Sequence, residues 1–263
     1  MKDGAKVVVV MPAYNAAKTL EDTYRGLAMD IVDEVILVDD VSRDETVEIA
    51  ERLGLKVVVH VQNRGYGGNQ KTCYLEALKS GADVVVMVHP DNQYDSTLVP
   101  QMIQPILDGT ADIVLGSRLL SGTAISGGMP IWKFVANRFL TEVENTAFGL
   151  HLSEYHTGFR AYSRRLLETI PFLLNSDDFV FDQEIMAQAV SFGFRVGETP
   201  VPTRYFPEAS SVNFKRSVEY GLDVLWTVGR YVLHRTKLKR SRRLSVRLAD
   251  ILAPRHREAI LRG

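Results

Sequence analysis

Two segments of this chain place oxygen- and nitrogen-bearing side chains where a nucleotide and a divalent metal could be handled. Asp39 and Asp40 close a short β-branched run. A carboxylate there can accept hydrogen bonds from a ribose hydroxyl or a base N–H. One of the two could instead cap the following helix, a task open also to Ser42 or Asp44. His89, Pro90, Asp91, Asn92 and Gln93 end another apolar run. Oxygen ligands suit Mg²⁺ or Mn²⁺, which usually take one or two carboxylates together with substrate phosphates. Asp91 is therefore the candidate metal ligand, with Gln93 or His89 beside it; the bland alternative is a turn in which Asp91 caps a helix at Ser96. A third segment, from Asn63 through Gly65, Tyr66, Gly67 and Gly68 to Asn69, permits close backbone approach and offers the free N–H groups of a helix start to an anion. It carries neither the dinucleotide fingerprint nor a Walker A loop. Tight helix packing explains its glycines equally well.

Such residues need a frame. Short runs rich in Val and Ile at 6–11, 34–39, 57–60, 84–89 and 112–116 alternate with helical spacing at 17–29, 44–53, 68–80 and 96–107. That alternation predicts βαβ units and a mostly parallel sheet with helices on both faces. In such sheets ligands sit beyond the carboxyl ends of the strands, where the polar residues above collect. The second half is less regular: a Gly/Ser-rich loop at 121–130, helices at 132–148 and 182–192, a strand at 195–202 and a long helical stretch at 213–234. No internal repeat or low-complexity linker interrupts it.

Composition narrows the class. The chain has 263 residues, 46% of them hydrophobic and 24% charged, which suits a folded core and argues against disorder. A lone cysteine, Cys73, excludes a disulfide framework and a cysteine-based zinc cage and fits a reducing, cytoplasmic setting. The first apolar run is too short for a signal core or a membrane span. From Arg230 to the end, eleven Lys/Arg face two acids, a net +9, which leaves −10 for the rest of a chain of formal charge −1.

Five motifs in order carry a family resemblance: Met11-Pro-Ala-Tyr-Asn15, Val38-Asp39-Asp40 with Ser42 to Thr46, the strand-end Asp91, Gly116-Ser117-Arg118, and Thr157-Gly158-Phe159-Arg160. Together they resemble family-2 glycosyltransferases of the GT-A fold, nearest to polyprenyl- and dolichyl-phosphate sugar synthases and bacterial surface-glycan transferases. The resemblance implies a Rossmann-like α/β catalytic domain over 1–211 and an NDP-sugar donor. It also implies an acceptor that is a lipid phosphate or a glycan, and inverting transfer assisted by Mg²⁺ or Mn²⁺. Pro12, Tyr14, Asn15 and Asp39 or Asp40 would hold the nucleoside. Asp91 would hold the metal, although His89 stands where the family's D-x-D has its first carboxylate. Gly116, Ser117, Arg118 and Arg160 would lie near the sugar or phosphates, and Arg204 near phosphate. Asp182, with Glu184 second, is the candidate general base for a hydroxyl acceptor. Rival readings are a soluble transferase to a small-molecule hydroxyl and a non-catalytic nucleotide-sugar-binding protein. No nucleic-acid partner is expected.

The extension at 212–263 combines an amphipathic helix with five basic residues among the seven of 237–243. On a helix of about 100° per residue, Lys215, Arg216, Glu219, Asp223, Arg230 and His234 share one side, and Phe214, Val218, Leu225, Val228 and Val232 the other, with Trp226 on the polar flank. One expectation is peripheral contact with the inner face of an anionic membrane. The other is that the apolar face covers the catalytic domain and the tail is solvated or forms oligomers.

Overall fold

The computed structural model describes residues 4–202 and 214–245. Seven strands form one sheet: β1 (Val7–Ala13), β2 (Glu34–Asp39), β3 (Lys56–Val59), β4 (Val84–Met87), β5 (Ile113–Ser117), β6 (Arg160–Ser163) and β7 (Val196–Pro200). Their spatial order is β3-β2-β1-β4-β6-β5-β7. Neighbours pair in parallel except β6, which runs antiparallel to both β4 and β5. The expected mostly parallel α/β sheet is therefore present, with one reversed strand that no apolar run announces. The order reverses between β1 and β4, and at such a switch point the connections diverge and open a crevice.

Successive residues of β1 point to opposite faces, and each face has its own core. Val8 and Val10 join Ile36, Val85, Tyr74 and Phe181 on one side. Val7, Val9 and Met11 join Leu37, Val86 and Phe159 on the other. Among the described residues eight α-helices surround the sheet: α1 (Leu20–Arg25), α2 (Thr46–Arg52), α3 (Gly65–Lys79), α4 (Val99–Leu107), α5 (Ile131–Phe148), α6 (Arg164–Thr169), α7 (Phe181–Ser191) and α8 (Phe214–Arg235). None of the described helices is long and apolar enough to cross a membrane.

The C-terminal helix does two things at once. Val224, Thr227, Val228 and Tyr231 are buried, and α8 packs on α5 and α7. Val218, Leu222, Leu225, Trp226, Val232 and Leu233 nonetheless remain exposed. At about 100° per residue these six form a second apolar stripe, so Trp226 belongs to an apolar face and not to a polar flank. The basic segment after α8 folds back: Leu244 is buried, Gln188 donates to the Arg243 carbonyl, and Ser191 donates to the Leu244 carbonyl. Arg243 and Arg230 both grip Glu184 on α7, whose other oxygen accepts from the Ser176 N–H at 2.6 Å. Part of the polybasic run is thus an internal clasp. The 211/212 boundary and residues 246–263 lie outside the described residues.

Glu184→Ala removes the only acid in this clasp and leaves two arginines to resolvate. Because both are partly exposed already, the expected loss is about 2–3 kcal/mol, short of a fully buried pair. Urea unfolding measures it, and trypsin should then cut at 237–243 faster than in the parent chain; unchanged cutting and stability would show the clasp to be idle.

Candidate active site

The strand ends separate the two aspartates that sequence left equivalent. Asp40 is fully employed: its carboxylate accepts from the Arg64 N–H (2.8 Å), the Gly65 N–H (3.0 Å) and His60 Nδ1 (2.7 Å). It caps the start of α3. Asp39, next along the strand and so pointing the other way, uses Oδ2 to accept from the Ser42 N–H at 2.9 Å. Its Oδ1 is buried without a hydrogen-bond partner among the described residues, and such an acceptor suits an incoming N–H or O–H. Between them and around them the backbone is strained. Asn15, Val41 and Asn92 have φ of 53°, 68° and 55° and follow β1, β2 and β4. For a β-branched residue such as Val41 this is a costly conformation, and such outliers gather at functional sites.

Pro12 is buried in β1 opposite Val38, and Tyr14 beyond it is half exposed. Asn15 stitches two loops together, donating its N–H to Ser42 Oγ and accepting from the Arg43 N–H, both at 2.8 Å. The glycine loop proves to be packing. A Cβ on Gly67 would fall 2.5 Å from the Ser176 carbonyl, and the Gly67 and Gly68 N–H groups already donate to the Asp177 carbonyl. No open anion cradle is left there.

His89 stacks on Tyr66 with ring centroids 5.5 Å apart, and its Nε2 lies 3.2 Å from the Tyr66 hydroxyl. That hydroxyl donates to Asp182 Oδ2 at 2.8 Å. Burial, and then the Asp182 charge, push the Tyr66 phenol well above its ordinary range, so it stays a donor. Gly158 makes room for the imidazole, since a Cβ there would sit 2.6 Å from His89 Cδ2. Asp91 accepts from the Gln93 N–H at 3.1 Å, and burial raises its carboxyl above the usual range. Among the described residues no cluster of three His, Cys, Asp or Glu could cage an ion. A site built on the single carboxylate of Asp91 would need an ion to draw most of its ligands from a diphosphate.

Beside these residues lies a cavity of about 240 Å³ lined by Tyr66, Gln93, Arg118, Lys133, Asp182 and Tyr220, among others. Asp182 is buried, and its Oδ1 has no hydrogen-bond partner among the described residues. Arg118 is anchored by fully buried Glu154, which accepts from the Arg118 Nε at 2.8 Å and the Arg118 N–H at 2.8 Å. Burial would raise Glu154, but the Arg118 charge and the hydrogen bonds of Arg118 and Asn137 outweigh it and hold the carboxyl below its ordinary value. Partial burial, then Arg118, lower Lys133, so two cations share one wall.

Other expected residues line this cavity, as Arg160 does, or stand behind it. Arg160 is buried and donates to the carbonyls of Thr157 (2.8 Å), Tyr155 (2.7 Å) and Asp182 (3.2 Å). It braces the site's floor. Ser117 shares a hydrogen bond with Ser153 at 2.6 Å, and a Cβ on Gly116 would strike Val201 at 2.9 Å, so both position Arg118. Glu184 turns away into the clasp, and Arg204 lies outside the described residues. Tyr66, Lys133, Glu154 and Tyr220 were not singled out by sequence. Tyr66 at least sat in the noted glycine loop, whereas Tyr220 needed α8 to be docked.

Strand ends open at a topological switch, beside a cavity that holds two cations and a buried carboxylate with one oxygen unused among the described residues, belong to an α/β fold of GT-A architecture. Glucosyl-3-phosphoglycerate synthase of Mycobacterium tuberculosis, solved with phosphoglyceric acid, has this fold: TM-score 0.68 at 22% identity, covering 88% of this chain and 81% of that one. The family model Glycosyl transferase family 2 matches residues 8–171, and the chain belongs to that family of glycosyltransferases. UDP-N-acetylglucosamine–dolichyl-phosphate N-acetylglucosaminyltransferase of Methanococcus voltae is 28% identical over 216 residues, 76% of this chain and 86% of that protein. Polyprenol monophosphomannose synthase of Mycolicibacterium smegmatis is 26% identical over 205 residues, 74% and 76% of the respective chains.

The two aspartates give a sharp test. Asp40→Asn should destabilise the fold by about 1–3 kcal/mol, because it disturbs three part-buried hydrogen bonds to a buried carboxylate. Asp39→Asn should be near neutral for folding yet weaken nucleotide binding about tenfold or more. Thermal unfolding and titration with UDP and GDP separate them; the reverse pattern would exchange their roles.

Proposed function

We propose that this glycosyltransferase moves a sugar, with inversion, from an NDP-sugar to a polyprenyl phosphate. The observation that carries the reading is the cavity's surroundings. Arg118 and Lys133 line its wall, matched to an anionic head group. The two helices that contribute to the cavity also carry exposed apolar side chains, Ile131, Val135 and Phe139 on α5 and Leu222 and Trp226 on α8, suited to a hydrocarbon chain. Contiguous apolar patches of this kind mark interaction sites. A groove between α5 and α8, lined by Phe139, Val228 and Val232, links the two helices' apolar surfaces. Membrane contact then rests on this apolar face, with the exposed Lys237, Lys239 and Arg240 adding attraction to anionic lipid.

Asp39 Oδ1 would accept from the nucleoside. Asp91, with His89 and Gln93, would hold Mg²⁺ or Mn²⁺, which when bound neutralises charge on the leaving diphosphate. Arg118 and Lys133 would hold the acceptor phosphate so that its oxygen forms the bond to the anomeric carbon as the bond to the diphosphate oxygen breaks. The bonding electron pair leaves with the nucleotide. An ionised phosphate has no proton to surrender, so Asp182 then orients and does not abstract. The free Oδ1 of Asp182 favours one alternative, a hydroxyl acceptor for which Asp182 is the base.

Incubation with labelled UDP-, GDP- and dTDP-sugars, Mn²⁺ and a polyprenyl phosphate, followed by solvent extraction, should carry label into the lipid phase. Asp91→Ala should lose at least about 10³-fold in rate while remaining folded. Asp182→Asn should be mild with the lipid phosphate, whereas a loss of about 10²–10⁴-fold would establish the hydroxyl chemistry. Label that never leaves the aqueous phase would sink the lipid reading.

The membrane face is tested separately. The full chain should co-sediment with phosphatidylglycerol vesicles at low salt, and the Phe139→Glu, Trp226→Glu double variant should stay in the supernatant. Wild-type protein remaining in the supernatant would refute the contact.

A further inference from the structure

Behind the cavity, on the side away from the strand ends, lies a buried polar group that the reaction described above does not use. Glu144 of α5 has no exposed surface. Neither of its oxygens makes a hydrogen bond of regular geometry, yet His156 Nε2 stands 3.1 Å from Oε2. The contact has the distance of an ion pair without the alignment of a hydrogen bond, so charge is what it can supply. An uncompensated carboxylate in such a place would cost several kcal/mol, and His156 is its one basic partner within 4 Å among the described residues. The other charged or titratable groups nearby are Arg118, which donates to the His156 carbonyl, and Arg160, Asp182 and Tyr155.

His156 passes this state on. Its Nδ1 is 2.9 Å from the hydroxyl of Tyr220, the residue by which α8 enters the cavity wall. Gln183 Nε2 has three acceptors in reach for its two hydrogens, the same hydroxyl at 2.9 Å, His156 Nδ1 at 3.1 Å and the Tyr155 carbonyl at 3.2 Å, and a proton on Nδ1 leaves it the hydroxyl and the carbonyl. A tyrosine hydroxyl has one proton and two lone pairs. If His156 is an imidazolium, Nδ1–H and Gln183 fill both lone pairs, and the hydroxyl proton has only the cavity to face. If His156 is neutral with its proton toward Glu144, Nδ1 takes the hydroxyl proton and the cavity loses a donor. Burial, then the Glu144 charge, keep the Tyr220 phenol well above its ordinary range, so it does not ionise in either case.

We propose that Tyr220 is a further substrate-contacting residue, donating its hydroxyl proton to the acceptor's phosphate oxygen, and that Glu144 and His156 are positioning residues that turn this donor into the cavity. The assignment rests on the cavity being the acceptor-anion site. It makes the C-terminal helix part of the site, with Tyr220 as the third donor beside Arg118 and Lys133.

Nitrogen-15 NMR of histidine-labelled full-length protein tests the ion pair without any substrate. The His156 signals, identified by their loss in His156→Gln, should show both ring nitrogens protonated at pH 7.5, and Glu144→Gln should restore a neutral ring. A neutral His156 in the wild type overturns the proposal and leaves the transfer reading standing. Citronellyl phosphate binding, followed by calorimetry, tests the donor. Tyr220→Phe should weaken it about 10–100-fold, Glu144→Gln should do the same, and the double variant should be no worse than either single one. Undiminished binding by Tyr220→Phe, or losses that add, overturns the proposal. Wild-type protein that ignores citronellyl phosphate refutes the acceptor reading on which the donor role rests.

Discussion

One buried guanidinium holds the site together. Arg160 has almost no exposed surface, and its N–H groups reach three backbone carbonyls on two different segments, the loop at 155–157 and the first turn of α7. A charge can stay there only because those carbonyls and the Asp182 charge answer it. Through this one side chain the loop carrying His156 and Thr157 and the helix carrying Asp182 are fixed to the centre of the sheet. The reversed strand β6 makes this possible. Running antiparallel between β4 and β5, it delivers Gly158 against His89 and Arg160 beneath the cavity.

Sequence showed most of the frame and about half of the site. Strands β1, β2, β4 and β5 were legible because their buried faces demand unbroken Val, Ile and Leu runs. Strand β6 was not, since Arg-Ala-Tyr-Ser is short, begins with a charge and has no alternation to betray it. Asp91 and Asp182 were legible as strand-end and helix-start acids. Asp39 and Asp40 could not be told apart by type, because only the pleat of the chain sends one toward the crevice and the other under α3. Asp182 and Glu184 differ in the same way. Two residues along a helix turn a side chain by about 200°, so one faces the cavity and the other the clasp. Glu154, Lys133 and Tyr220 carry no local signal at all, and their roles follow from which helices touch.

The C-terminal extension meets one expectation raised by its pattern, since α8 covers the catalytic domain, and leaves an apolar face for the other. A helix with a single apolar face must choose between covering a domain and meeting a partner. Helix α8 has two such faces, one closed against α5 and α7 and one open. The basic run is likewise divided: Arg243 is spent inside on Glu184, and the lysines stay outside.

The open face carries an optical consequence. The chain has two tryptophans, and both lie at the surface, Trp132 at the cavity rim and 40% exposed on α5, Trp226 on the open face of α8 and 69% exposed. Neither is in either core. Intrinsic emission therefore reports on the surface and hardly on the interior: it would shift to the blue when hydrocarbon covers α5 and α8 and would change little as the sheet melts. The protein carries its own polarity probe on the surface in question.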